Sequence, residues 1–137
     1  MLRRETRVRA RALQILYAWE LQHRPPVRAV ADGLYSLHGG RDRVWELAEA
    51  LAQAVASTAD RLDAEVALDI EHWRLARVGV NERNILRLAA HELLCTETPA
   101  PVVISEAVRL AHWFAGAKAP PFVNGVLDAL AHRVGRL

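Results

Sequence analysis

Apolar side chains recur three and four positions apart over almost the whole sequence, a spacing that buries one face of an α-helix. The first such stretch places five of them on one face: Val8, Ala12, Ile15, Leu16 and Trp19. Pro25 and Pro26 follow and end this helix, because proline cannot continue it. No stretch alternates apolar and polar residues in the manner of a β-strand. The pattern therefore predicts an all-α fold.

Turn residues divide the remaining pattern into further helices. The first predicted segments are a helix over 27–37, closed by Gly39–Gly40, and a long helix over about 42–66 with a bend or break at Ser57–Thr58. A short element at 70–77 follows, and then a helix from near Asn81 and another from Pro101. After a loop at 116–121, a last helix begins at Phe122. The helix from Asn81 is expected to bury one apolar face, made of Ile85, Leu88, Ala89 and Leu93. Residues 1–137 are thus predicted to form a single domain of about seven helices.

Positive charge is concentrated at the amino terminus. The formal net charge of the 137 residues is only +2, yet arginines crowd the first turns and only Glu5 opposes them. These arginines are Arg3, Arg4, Arg7, Arg9 and Arg11. Such a cluster suits a polyanion, since each phosphate contact releases counterions. From charge alone, a solvated and frayed terminus is an equally good explanation.

Composition argues against several other classes of protein. Cys95 is the single cysteine, so we expect neither an intramolecular disulfide nor a cysteine-based metal site. No apolar run approaches the roughly 18 residues that a membrane-spanning helix requires. We therefore expect a cytoplasmic protein without a membrane segment.

Two arrangements resemble catalytic sites but lack part of the required chemistry. His91–Glu92–Leu93–Leu94–Cys95 carries cysteine where a zinc-protease helix has its second histidine. Asp60 and Asp63, three residues apart, more often form a solvated helix face than an acid–base pair. The chain has no glycine-rich loop for phosphate. We expect no enzymatic activity, no bound metal and no cofactor.

The tryptophans are expected to differ in role. Trp19 and Trp45 fall at helical spacing among alanine and leucine, which favours positions in the core. Trp113 adjoins the loop before Phe122, where an aromatic ring could instead stack on an unpaired base.

The segment Phe122–Asp128 carries an Asn–Gly pair inside a helical pattern. A glycine in a helix interior destabilises it by roughly 1 kcal/mol relative to alanine, so some contact should compensate. Close packing against another helix is the favoured explanation for Gly125, and an approaching ligand is the other. On the first explanation, a larger side chain at this position overpacks the fold.

Four blocks of sequence together resemble one known family. They are 7–17, 82–94, 99–111 and 122–128, and the last is the most specific. In this order and at these separations they resemble the NusB family of transcription antitermination proteins, over about Arg7 to Leu130. The resemblance implies an all-α fold of two packed helical sub-bundles.

The resemblance also implies a function. NusB-like proteins bind a short single-stranded boxA element in nascent ribosomal RNA transcripts. They act together with NusE, a small-subunit ribosomal protein, and the pair joins RNA polymerase in an antitermination complex. The role is that of an adaptor without turnover.

Candidate site residues follow from the arginine cluster and from positions that match the family. The expected RNA-binding residues are Arg3, Arg4, Arg7, Arg9, Tyr17, Arg87, Lys118, Phe122 and Asn124. The expected contacts to the protein partner are Tyr17 and Glu82. For Arg87 the alternative is an ion pair with Glu92 or Glu106. For Tyr17 the alternative is a half-buried position at the edge of the core.

Other interpretations stay open beside this one. NusB-like domains also precede RNA cytosine methyltransferase domains, and that role would require sequence beyond Leu137. A helical module that binds only proteins is a further alternative, and self-association through the partner faces would give a homodimer. Pro101, Pro121 and Lys118 depart from the family's pattern, so the preferred RNA sequence does not follow from the resemblance.

Overall fold

A computed structural model describes residues 2–71, 74 and 77–137. Within these residues the chain forms seven helices and no strand, which confirms the predicted all-α fold. The helices are α1 Arg4–Leu21, α2 Val27–Leu37, α3 Arg43–Ser57, α4 Ala59–Ala67, α5 Val80–Cys95, α6 Ala100–Phe114 and α7 Ala119–Arg133. No helix in the described stretches is long and apolar enough to cross a membrane. Half of the element predicted at 70–77, including Trp73, lies outside the described residues.

The chain divides into two compact units, residues 1–57 and 58–137. In the first unit each of the helices α1, α2 and α3 packs against the other two. The predicted core tryptophans are confirmed, because Trp19 and Trp45 are 4% and 2% exposed. The Tyr35 ring meets Trp45 edge-on, with ring centroids 5.6 Å apart. Aromatic side chains therefore anchor all three helices of this unit.

Local signals set the boundaries of α3. The preceding turn contains Gly39 and Gly40 at φ 81° and 109°, a backbone region that other residues rarely adopt. The Asp42 carboxylate then accepts a hydrogen bond from the backbone N–H of Trp45 at 2.9 Å and caps the helix. At its other end the helix stops at Ser57, and α4 begins at Ala59. The break predicted at residues 57–58 is confirmed.

The second unit is built around α5. This helix contacts α4, α6 and α7, and the seven consecutive residues 84–90 are all buried. A helix buried on every side lies at the centre of its bundle. The sequence predicted a single apolar face, whereas the structure also buries Asn84 and Arg87. The burial of these two polar side chains therefore results from packing between helices, which the periodicity of the sequence does not indicate.

The last helix begins earlier than the sequence predicts. α7 starts at Ala119, so Pro120 and Pro121 lie in its first turn and the loop before it is confined to residues 115–118. Proline fits a first helical turn, because its φ is preset and the missing N–H has no partner there. Phe122 is consequently the fourth residue of the helix, one turn from the loop.

Candidate nucleic-acid interface

Three exposed arginines occupy the amino-terminal end of α1. Arg3, Arg4 and Arg7 are all exposed, and Arg3 is the residue that precedes the helix. Arg7 lies four residues after Arg3 and three after Arg4, so its side chain neighbours both of theirs. We call this cationic surface the arginine face. A surface of this kind supplies the sequence-independent attraction for a phosphate backbone.

Arg9, a predicted RNA contact, is buried in the first unit. Its side chain is only 8% exposed, because the position two residues after Arg7 turns toward the interior of the bundle. Arg11 is half-buried, and its guanidinium lies 4.9 Å from the centroid of the Trp45 ring. Arg11 belongs to the arginine cluster and lies four residues after Arg7, but it was not among the predicted RNA-binding residues. At the amino-terminal end of α1, the arginines with accessible side chains are therefore Arg3, Arg4, Arg7 and Arg11.

Tyr17 lies at the other end of α1 and is 41% exposed. More than half of the residue is covered, so a half-buried position at the edge of the core stays open beside a partner contact. Leu21, four residues later on the same face, is also exposed. The two side chains form an exposed apolar pair that suits a protein partner. Leu21 belongs to none of the sequence motifs, so the sequence did not indicate that it lies on this surface.

Arg87, a predicted RNA contact, is buried and engaged within the second unit. Its guanidinium is held by both oxygens of Asp63, with Nε to Oδ1 at 2.6 Å and Nη2 to Oδ2 at 2.7 Å. Nη1 also donates to the side-chain oxygen of Asn84 at 2.9 Å. A two-pronged pair of this kind fixes the arginine geometrically. Asp63 thus joins α4 to α5, a partner that the sequence analysis did not identify.

Lys118, Phe122 and Asn124 lie at the beginning of α7. Lys118 and Asn124 are exposed, and Phe122 is half-buried. The guanidinium carbon of Arg74 lies 4.3 Å from the centroid of the Phe122 ring. A cation over an aromatic face is a favourable contact. Arg74 thus brings a further positive charge to this end of α7, which the sequence analysis had not considered.

The loop before α7 is tied to the beginning of α5. The Asn81 side-chain amide donates to the backbone oxygen of Phe114 at 2.7 Å, where α6 ends. Glu82, the predicted partner contact, is half-buried in the first turn of α5. Trp113 is exposed beside the loop, and the guanidinium carbon of Arg109 lies 5.9 Å from its ring centroid. Unlike Trp19 and Trp45, Trp113 is available to an external partner.

The packing explanation for Gly125 is wrong. Gly125 is exposed in α7, and a Cβ atom at this position meets no atom of the described residues within 4 Å. Its backbone is helical, so no turn requires a glycine there. The second explanation remains, in which a ligand approaches the exposed backbone.

Gly125→Ala is expected to raise the free energy of unfolding by roughly 0.5–1 kcal/mol, because alanine restricts the unfolded chain and favours a helix. Urea denaturation followed by circular dichroism measures this change. The matched control is Gly40→Ala, which should lower stability because Gly40 has a φ of 109°. A loss of stability in Gly125→Ala would instead reveal a close contact at that position.

The histidine of the zinc-protease-like segment lies in a structural setting. Burial lowers the pKa of His91, and the negative charge of Glu92 only partly opposes this effect. His91 is therefore neutral at physiological pH. Within the described stretches, no three His, Cys, Asp or Glu side chains are grouped so as to hold a metal ion.

The chain resembles known proteins over nearly its whole length. The sequence matches the model of the NusB family over residues 6–132. The transcription antitermination protein NusB of Solibacter usitatus is 41% identical over 130 residues, covering 90% of this chain and 86% of the relative. The protein of the same name from Anaeromyxobacter dehalogenans is 38% identical over 131 residues, covering 96% and 92%.

Solved structures show the same architecture. NusB from T. maritima superposes with a TM-score of 0.80 at 26% identity, covering 96% of this chain and 92% of that one. A crystal structure of the antitermination factors NusB and NusE in complex with dsRNA gives a TM-score of 0.80 at 28% identity, covering 97% and 99%. Sequence and fold agree over nearly the full length, and the chain belongs to the NusB family of non-enzymatic transcription antitermination factors.

Proposed function

We propose that this protein binds boxA-type single-stranded RNA in ribosomal RNA transcripts, together with NusE, as part of an RNA polymerase antitermination complex. The arginine face of α1 is the observation that carries the proposal, because three exposed arginines on one side of a helix match a phosphate backbone. A structurally similar relative is found with NusE and dsRNA, which supports NusE and RNA as partners. This action places the protein in the cytoplasm, with residues 1–137 serving as one RNA-binding domain.

The exposed aromatic groups favour single-stranded RNA over a duplex. Unpaired bases stack on planar side chains, whereas the deep major groove of an RNA duplex is closed to them. Tyr17 is exposed and Phe122 is half-buried. We assign phosphate contacts to the arginine face and to Lys118, and a base contact to Phe122 beside Asn124. Arg9 and Arg87 are assigned structural roles because they are buried.

The protein partner is assigned to residues outside the arginine face, and Tyr17 is shared between this partner and RNA. Tyr17 and Leu21 form an exposed apolar pair that a protein would cover, and Glu82 adds an acidic contact at the start of α5. We assign these residues to NusE. The same apolar pair could support a homodimer, which sedimentation of the protein at increasing concentration would detect.

RNA and NusE are expected to tighten each other's binding. NusE should lower the dissociation constant for boxA-type RNA, and RNA should lower that for NusE by the same factor, because coupling between two ligands is reciprocal. Fluorescence anisotropy of labelled RNA with and without NusE, and of labelled NusE with and without RNA, gives both factors. Identical constants in both titrations would contradict the coupling. A protein that binds NusE but no RNA even at low salt would be a protein-only module.

Gly125→Leu separates a ligand role from a packing role. Because the space beside Gly125 is open and leucine favours a helix nearly as well as alanine, we expect Gly125→Leu to raise the free energy of unfolding slightly, by less than about 1 kcal/mol, and to weaken RNA binding by obstructing the approach to α7. Ala50→Leu is the matched control, since Ala50 is an exposed helical residue of the other unit. RNA titration of both variants measures the change in RNA affinity, and thermal denaturation measures the change in stability. Equal RNA affinities in Gly125→Leu and in the parent would exclude α7 backbone contact.

A further inference from the structure

The turn between α2 and α3 carries a second group of exposed basic side chains. Residues 38–43 are all exposed, and they include His38, Arg41 and Arg43. None of them belongs to the blocks that resemble the family. This turn lies in the same compact unit as the arginine face.

Side-chain contacts connect this turn to α1. The guanidinium carbon of Arg11 lies 4.9 Å from the Trp45 ring centroid, and the His38 ring centroid lies 5.4 Å from the same ring. The guanidinium carbon of Arg41 lies 5.7 Å from the centroid of Tyr35, whose ring packs edge-on against Trp45. Arg11 is four residues beyond Arg7 on the helix. The arginine face therefore continues through Arg11 to His38 and Arg41 without leaving the unit.

The turn is held in a defined conformation. The Gly40 N–H donates to the Tyr35 carbonyl at 2.8 Å, and Asp42 caps α3. The Tyr35 hydroxyl donates to the Glu49 carboxylate. Basic groups that are positioned before binding lose less conformational entropy when a ligand arrives.

Acidic side chains also lie on this surface and are held in contacts within the unit. The Asp42 carboxylate is occupied in capping α3, and Glu49 accepts from Tyr35 and pairs with Arg28 at 3.2 Å. Glu46 is the remaining acid, at 3.9 Å from Arg41, and this pair is solvent-exposed on both sides. Exposed pairs of this kind are weak, so a phosphate can displace Glu46 from Arg41.

We propose that Arg11, His38 and Arg41 form a second phosphate-binding segment, over which the RNA backbone continues from the arginine face. The proposal rests on the proposed function and extends it to a longer RNA. Trp45 is buried and Tyr35 nearly so, so the rings support the cations and do not stack on bases. The segment is therefore expected to bind the RNA backbone irrespective of its sequence.

RNA length provides the test. The protein with NusE is titrated with a short boxA-type RNA of about 12 nucleotides and with RNAs longer by about 10 nucleotides at either end, lengths comparable to single-strand binding sites. The parent should bind one of the longer RNAs more tightly than the short one. For that RNA, Arg11→Gln/Arg41→Gln should reduce the affinity by about 25-fold at about 0.1 M salt and flatten the salt slope by about 1.4, since each lost contact contributes about 0.7. The affinity for the short RNA should stay within about twofold of the parent value.

Two further variants separate charge from structure. Arg11→Lys/Arg41→Lys retains both charges and should restore most of the affinity for the long RNA. Arg24→Gln is the matched control, because Arg24 also lies over a tryptophan, with its guanidinium carbon 4.8 Å from the Trp19 centroid, but in the turn that follows α1. It should bind both RNAs as the parent does. Melting curves establish that each variant is folded.

Three results would overturn the proposal. A parent that gains nothing from longer RNA while binding the short one would remove the second segment and leave the proposed function intact. Equal loss in Arg24→Gln and in the double variant would do the same. Binding of polyglutamate that the double variant loses, with RNA binding unchanged, would assign the surface to an acidic protein. A parent that binds neither RNA would instead remove the proposed function itself.

Discussion

Asp63→Ala is expected to lower the free energy of unfolding by about 3 kcal/mol, because it leaves the guanidinium of Arg87 buried without its carboxylate. Arg87 is 1% exposed, whereas about a third of the Asp63 side chain reaches solvent, which places the effect at the lower end for a buried pair. The loss should appear in chemical denaturation followed by circular dichroism. Asp60→Ala, three residues earlier on the exposed side of α4, is the control and should change stability much less.

Removal of both charges distinguishes an ion pair from a packing defect. Asp63→Leu/Arg87→Met replaces the pair with apolar side chains and should recover much of the stability that Asp63→Ala loses, since no charge is left buried. The folded double variant should also bind RNA like the parent, because Arg87 is assigned to the interior. Equal losses in Asp60→Ala and Asp63→Ala would contradict the role of the pair. Weakened RNA binding in the double variant would return Arg87 to the interface.

Replacing Arg3, Arg4 and Arg7 with alanine is expected to weaken RNA binding on the order of 100-fold at about 0.1 M salt, if each contacts one phosphate. The slope of log affinity against log salt should flatten by about two, because each contact to single-stranded RNA contributes about 0.7. Stability should change little, since all three side chains are exposed. Anisotropy titrations over a salt series give both quantities.

Arg9→Ala is the informative counterpart of this triple variant. Arg9 lies on the same helix with the same charge, but it is buried. We expect it to destabilise the protein and to leave the RNA affinity of the folded fraction within about twofold of the parent, because no phosphate contact is lost. If Arg9→Ala instead reproduces the loss of salt dependence, α1 presents a different face to RNA than the one described.

Local features of the sequence determined most of the secondary structure. The helix at 27–37 was predicted with the bounds observed, since Pro25–Pro26 and Gly39–Gly40 act within a few residues of themselves. The break after Ser57 and the core positions of Trp19 and Trp45 followed equally from the helical period. The start of α7 was misplaced because a proline stops a helix or begins one according to its position in the first turn.

The number of neighbours around each helix was decided by the tertiary structure. Periodicity predicted one apolar face for α5, but three helices surround it, so Asn84 and Arg87 are buried as well. Arg9 is buried and Arg7 is exposed for the same reason, because the packing of α1 decides which side of the helix faces water. Gly125 was expected to pack against another helix. Instead, a Cβ atom at this position meets no atom of the described residues within 4 Å, so its backbone is open. The sequence alone shows which residues are apolar and how they are spaced. Whether a residue is buried depends on segments that are distant along the chain and that pack against it only in the folded protein.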